Sequence, residues 1–256
     1  MPEIGPAPLS RDERRRFCRD IADRLREVYG DRLLAVGVYG SVSRDADGPY
    51  SDIEMLCVLR DSDEPVEFSY EWAAGSCKAE VDVYSADVLL QDAATLGAKW
   101  PLTHGCYFSQ WALYDPEGFF PRLRQAAESP TEEDFRRNIR EVLVGEMYEF
   151  IGKVRNIRSR GPRTHLPFMA VKTAEYGAML IGLHHRKLFS TGAMVLPEAL
   201  ELSDRPAGFD RLAQMVMSGE LTDPEAIVSA CEAFWNGLME WADRHGYAFD
   251  TVRIPF

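Results

Sequence analysis

The stretch Gly37-Val-Tyr-Gly40-Ser41, ten intervening residues, and then Asp52-Ile-Glu54-Met-Leu-Cys-Val-Leu59 decides what this chain folds into. An apolar run from Leu33 to Tyr39 ends in a Gly-Ser turn; a polar loop follows, and a second apolar run opens with two acids. Both runs are strand candidates. Alternate residues of a strand share a face, so Asp52 and Glu54 point one way and Ile53, Met55 and Cys57 the other. Two carboxylates so spaced can hold a pair of divalent cations ~4 Å apart, an arrangement that supports in-line displacement at phosphorus. Gly40 lets the backbone approach a ligand closely. The N–H groups of the turn and the Ser41 hydroxyl can then hold phosphate oxygens. An Asp-x-Glu alone is more often a pair of surface acids on a hairpin; the Gly-Ser turn and the flanking apolar runs set this one apart.

Arg44 in the connecting loop offers its planar guanidinium either to a polyphosphate or to solvent. Asp45-Ala-Asp47-Gly48-Pro49 is turn chemistry. Glu67-Phe-Ser-Tyr-Glu71-Trp72 is expected as a strand or sheet edge after the charged loop 60–65. Lys78-Ala-Glu80-Val-Asp82-Val-Tyr84 alternates, with Ala79, Val81 and Val83 on one face and Glu80 and Asp82 on the other. A third acid on an adjacent strand would complete a metal cluster, and by alternation Glu80 and Asp82 are both candidates. Residues 85–96 are expected as a helix, 100–105 as irregular, 108–113 as a last strand and 119–128 as a short helix. Upstream, Ser10-Arg-Asp-Glu13 fits a capping box. Phe17, Ile21, Leu25 and Val28 recur at helical spacing as far as Gly30, which predicts a helix packed on the sheet with no chemistry of its own.

Ser129-Pro130-Thr131 is the clearest break, and from there the period is helical throughout. Ile139, Leu143, Met147, Phe150, Val154 and Ile157 form one apolar stripe. Glu149 lies off it, with Lys153 one turn later; a surface ion pair is what this spacing alone supports. If the reaction transfers a nucleotidyl group, however, the acceptor hydroxyl needs a base, and Glu149 is the best candidate in the helical half. A second long helix is expected over 166–188, interrupted early by Pro167, then shorter helices near 194–203 and 207–218 and a last long one over 224–245. Strands followed by helices predict an α+β chain in two parts: residues 1–128, a mixed β-sheet with flanking helices, and 129–256, a helical bundle.

The 256 residues are 46% hydrophobic and carry a formal net charge of −12. Such a surface repels nucleic acid and anionic membranes and favours cationic ligands. The opening Met1-Pro-Glu-Ile-Gly-Pro has no signal-peptide pattern and no apolar run is long enough to span a membrane. The five cysteines are scattered without metal-site spacing, so a cytoplasmic protein with reduced thiols is expected.

The Gly-Ser and Asp-x-Glu pattern resembles the nucleotidyltransferase superfamily that includes DNA polymerase beta. A wider set of stretches is similar to the aminoglycoside 4′-nucleotidyltransferases, the kanamycin nucleotidyltransferase group. These are Gly37–Ser41, Asp47–Met55, Trp100-Pro-Leu-Thr-His-Gly105, Arg155-Asn-Ile-Arg158, Gly177–Arg186, Val216-Met-Ser-Gly219, Phe234-Trp-Asn-Gly237 and Arg253-Ile-Pro-Phe256. The resemblance implies an N-terminal nucleotidyltransferase domain and a homodimer with shared active sites. It implies Mg²⁺-dependent transfer of AMP from ATP to the 4′-hydroxyl of aminoglycosides such as kanamycin and tobramycin, with antibiotic resistance as the result, using a pair of Mg²⁺ ions. By position it gives Asp52, Glu54 and Glu80 to metal, Glu149 to the base, and Lys153 to phosphate, with Thr191 also near phosphate. Gly40, Ser41 and Arg44 match nucleotide contacts, and Glu71 matches an acid of the substrate cleft. The pattern departs at Gly145 and Lys99, where the group carries acids; both changes bear on aminoglycoside recognition. Charge points the same way, since Glu71, Glu80, Asp82, Glu146 and Glu149 would attract a polycation. Competing readings are a same-fold transferase acting on another small hydroxylated acceptor or a protein, a non-catalytic nucleotide-binding regulator, and a plain interaction protein. A decayed site is expected to lose a metal carboxylate, and all three positions hold acids.

Overall fold

In the computed structural model, which describes residues 5–61 and 63–247, five strands form one mixed sheet. They are β1 (Leu33–Val38), β2 (Ile53–Leu59), β3 (Glu67–Ala74), β4 (Cys77–Ser85) and β5 (Trp111–Tyr114), in the spatial order β3-β4-β2-β1-β5. β2 and β4 run parallel; the other neighbours are antiparallel. β2 is apolar almost throughout because both its faces are covered, as a central strand requires. Ile53, Met55 and Cys57 pack with Val36, Val81 and Val83 beneath the helix Arg11–Tyr29, while Leu56 and Val58 pack with Leu89, Phe119 and Leu123 from the helices Ala86–Ala93 and Phe119–Ala127. Gly37 makes the second packing possible: a Cβ there would lie 2.6 Å from the Phe120 ring.

Several local expectations change. The first helix has its capping box, but Val28 is 54% exposed, and the buried face is Arg14, Cys18, Ala22 and Leu25. Tyr29 takes the packed position in the last turn, where helical spacing from Cys18, Ala22 and Leu25 leads. Residues 100–105 are not irregular: two helical turns, Trp100–Thr103 and Gly105–Phe108, run through this stretch and into the start of the expected strand 108–113, so the last strand is only Trp111–Tyr114. The terminal motif Arg253–Phe256, the opening Met1–Ile4 and Ser62 lie outside the described residues.

The chain divides into two compact units. The first takes the described residues up to Thr95 together with His104–Pro130; the second takes Leu96–Thr103 and the described residues from Thr131 on. Leu96–Thr103 belongs with the helices because Trp100 packs edge-on against Phe135 and the Pro101 carbonyl accepts from the Phe189 N–H at 2.6 Å. Thr131 opens the helical unit with a capping box to Asp134. The helix Glu132–Val142 continues through a π-helical turn, Leu143–Met147, into Tyr148–Arg160, and the whole predicted stripe from Ile139 to Ile157 is buried. Leu166–His185 is the central helix, buried on nearly every side, as an all-round apolar helix must be. Pro167 does not interrupt it; the residue sits in the first turn, where a missing N–H costs no hydrogen bond. Val195–Glu201, Phe209–Ser218 and Pro224–Arg244 complete the unit. Among the described residues no helix is long and apolar enough to cross a membrane.

Candidate active site

The Gly-Ser turn and the second strand build the site in the first unit. The Tyr39 N–H donates to the Glu54 carbonyl at 2.9 Å, tying the end of β1 to β2. Gly40 then adopts φ +70° and starts one helical turn, Gly40–Ser43. Glycine is required here twice over. The positive φ disfavours any side chain, and a Cβ would lie 1.8 Å from Glu54 Oε2. The Glu54 carboxylate thus rests on the bare Cα of the turn, beside the half-buried Ser41; Arg44 ends the turn on the surface.

Strand register supplies what alternation could not. Glu54 stands beside Glu80 across the parallel β2–β4 pair, and Glu80 stands beside Glu71 across β4–β3. Three glutamates therefore cross the sheet at one level, with Asp52 just before β2. Asp82 lies two pairs further along, opposite Leu56, and its Oδ2 accepts the Tyr39 hydroxyl at 2.7 Å. Of the two candidates for a third acid, Glu80 is the one beside Glu54. Lys78 is a site residue that sequence reasoning misses: it shares the face of Glu80 by the same alternation, and its ammonium lies 2.7 Å from Glu80 and 3.1 Å from Glu71.

The cluster is electrostatically uncompensated at Glu54. Burial first, then the charges of Asp52 and Glu80, push its carboxyl up from the usual 4.5 to about 7, with Arg44 and Lys78 only partly opposing. The folded chain thus holds this proton more tightly than the unfolded chain. The stability involved is present at low pH and is lost as pH rises through about 7, the reverse of a salt-bridged carboxylate. Hence, with divalent cations removed by EDTA, Glu54→Gln is expected to melt a few degrees above the wild type at pH 8, and the gap should shrink at pH 5. Thermal melts at the two pH values check this; an unchanged gap would mean that Glu54 ionises freely. An all-oxygen, all-carboxylate set suits a hard divalent cation such as Mg²⁺, so Asp52, Glu54 and Glu80 fit the metal that the sequence pattern implies.

The loop that delivers Asp52 is held by a residue that sequence reasoning passed over. Arg14 is 1% exposed. Its guanidinium donates to the Asp47 carboxylate at 2.5 Å and to the carbonyls of Gly48, Pro49 and Ser51 at 3.0, 3.0 and 3.1 Å. Arg11 reaches the other Asp47 oxygen at 3.0 Å. The available signal was an arginine in register with Cys18, Ala22 and Leu25, on the face of the helix that had to be buried.

The remaining candidates belong to the second unit. Glu149 and Lys153 form the i,i+4 ion pair that their spacing predicts, each about half exposed. Glu146 is half-buried in the π-helical turn, a feature that recurs at functional positions. Thr191 is exposed just before a short 3₁₀ turn, Gly192–Met194. The structure thus brings Asp52, Glu54 and Glu80 together in one unit and Glu149 and Lys153 together in the other.

Comparison with known proteins bears on the family. The family model described as the KNTase C-terminal domain matches residues 117–248. Two curated relatives, one from Staphylococcus aureus and one from Bacillus sp, both described as aminoglycoside nucleotidyltransferase (4′), are each 48% identical over 253 residues, covering 98% of this chain and 99% of theirs. Among solved structures, a nucleotidyltransferase-like protein from Exiguobacterium sibiricum 255-15 aligns with a TM-score of 0.53 at 10% identity, over 89% of this chain and 77% of that one; this likeness bears on the fold alone. Near-half identity along both chains from end to end means that this chain belongs to the aminoglycoside nucleotidyltransferase (4′) family.

Proposed function

We propose that this protein transfers AMP from ATP to the 4′-hydroxyl of aminoglycosides such as kanamycin and tobramycin, giving resistance to them, in the cytoplasm and as a homodimer. The observation that carries this is the row of Glu54, Glu80 and Glu71 beside Asp52, with the Glu54 carboxylate laid on the bare turn at Gly40. A pair of Mg²⁺ ions held by Asp52, Glu54 and Glu80 would neutralise the triphosphate and the charge that develops on its α-phosphoryl group.

The chain's own groups do the rest. The Gly40–Ser41 backbone and the Ser41 hydroxyl hold phosphate oxygens. Arg44 and Lys153 add positive charge, and Thr191 a hydroxyl. Glu149 takes the proton of the 4′-hydroxyl. The freed oxygen bonds to the α-phosphorus, the bond to the bridging oxygen breaks, and pyrophosphate leaves with that electron pair. Glu71, Asp82 and Glu146 attract the ammonium groups of the substrate. The scattered cysteines suit a reducing compartment.

The test is direct. Protein, ATP, Mg²⁺ and kanamycin are expected to release pyrophosphate, and NMR of the product to place AMP on the 4′ oxygen. Pyrophosphate release that does not depend on kanamycin, or none at all, would point to another acceptor. Arg14 acts here as a positioning residue, through the loop that ends at Asp52. Arg14→Lys keeps the charge but loses the planar fork, and the Mg²⁺ concentration for half-maximal rate is expected to rise roughly 10-fold or more, as for other supports of metal ligands. A change in melting temperature with no change in Mg²⁺ dependence would make Arg14 purely structural.

A further inference from the structure

The helical unit holds a second cluster of metal-ligating side chains that the reaction does not use. His184 lies in the last turn of the central helix, His245 caps the end of Pro224–Arg244, and Asp204 lies in the bend after Val195–Glu201. One ligand atom from each of the three lies within 4.8 Å of those of the other two. Asp204 Oδ2 is 2.8 Å from His245 Nε2 and 3.5 Å from His184 Nε2. We propose that His184, Asp204 and His245 form a binding site for a zinc-class transition-metal ion, which ties the ends of the two long helices to the bend between them.

Four features support it. First, the spacing suits such an ion: bonds of about 2.0–2.2 Å in tetrahedral geometry put ligand atoms about 3.4 Å apart, and the 2.8 and 3.5 Å separations lie on either side of that value. Second, His245 Nε2 is buried and has no aligned hydrogen-bond partner. At 2.8 Å the Asp204 oxygen flanks this nitrogen without facing its N–H direction, as two ligands of one ion flank each other.

Third, an outer shell orients the ligands, as metal sites generally require. The Tyr247 hydroxyl is 3.0 Å from His184 Nδ1, the Trp241 indole N–H donates to the Asp204 carbonyl at 3.1 Å, and Arg244 binds Asp204 Oδ1 at 3.1 Å. Among the described residues, Asp204 is also one of three non-glycine residues with positive φ, at 53°, so its backbone is held in an unfavourable conformation that presents this side chain. Fourth, the donor set is right. Two imidazoles and one carboxylate prefer zinc and its neighbours to Mg²⁺ or Ca²⁺, which separates this site chemically from the all-carboxylate cluster in the first unit. Three protein ligands leave a fourth position for water.

The test uses the untagged full chain, stripped with EDTA, titrated with Zn²⁺ against a chromophoric chelator. The wild type is expected to hold one tight equivalent. The Asp52→Asn/Glu54→Gln double variant should keep it, and His245→Gln should bind it at least 10-fold more weakly. Cobalt replacing zinc should give the intense visible band of a four- or five-coordinate site with nitrogen ligands. This spectrum is read on the wild type, so it decides the matter even where His245→Gln fails to fold. Zinc uptake unchanged in a folded His245→Gln, uptake abolished in Asp52→Asn/Glu54→Gln, or only the weak band of octahedral oxygen-bound cobalt would overturn the proposal and leave a proton-held His–Asp cluster.

Discussion

Asp52→Asn and Glu54→Gln should each reduce turnover about 10³-fold or more at saturating Mg²⁺ and ATP. Both changes keep the shape of the side chain and remove one negative charge from a cluster whose work is to hold cations. A loss of 10³ corresponds to about 4 kcal/mol of transition-state stabilisation, the scale expected when one charged ligand of a catalytic metal is lost. Instability would not account for such a result. The Glu54 carboxyl is pushed up to about 7 by burial and by Asp52 and Glu80, so neutralising it relieves the folded state above that pH. Glu54→Gln is therefore expected to be both nearly inactive and, free of metal, more stable than the wild type, a sign that a site is strained for function. Steady-state rates on the purified variants, with melts alongside, check both halves. Near-normal turnover by either variant would place the chemistry elsewhere in the chain.

What could be read from sequence was local, and what could not was set by contacts between distant residues. β1 and β2 were legible as short apolar runs on either side of the Gly-Ser turn, and β4 because a two-residue alternation survives in a strand with one apolar face. The same alternation left Glu80 and Asp82 equivalent. The register against β2, and the hydroxyl of Tyr39, 43 residues upstream of Asp82, distinguish them. Arg14 was invisible for the same reason: its partners lie 33 to 37 residues away, and an arginine on a helix is ordinarily counted with the solvated face. The π-helical turn at Leu143–Met147 left no trace, because Leu143 and Met147 are four apart and fit an α-helical stripe equally well. Leu96–Thr103 has no helical repeat long enough to reveal that it packs with the helices; contacts with residues far along the chain, such as Trp100 against Phe135 and Pro101 against Phe189, show it.

Glu149→Gln is expected to lower kcat by roughly 10²- to 10⁴-fold with little change in ATP binding, since it keeps the shape and removes the proton acceptor. Activity within a factor of two would reduce Glu149 to half of a surface ion pair with Lys153, the contact the structure shows. The larger consequence follows from the division of the proposed machinery between two units, the metal ligands in one and the base in the other. In a homodimer with shared active sites, Asp52 of one subunit would work with Glu149 of its partner. The inactive variants Asp52→Asn and Glu149→Gln can then be allowed to exchange subunits. In a mixed two-fold dimer, one site collects both lesions and the other collects neither. With random mixing about half of the dimers are mixed and half of their sites are whole, so roughly a quarter of wild-type activity should return. If base and metal ligands of one subunit work together instead, every site keeps a lesion and mixing restores nothing. Mass spectrometry of the mixture shows whether mixed dimers formed. Their presence without recovered activity would assign the whole site to a single subunit.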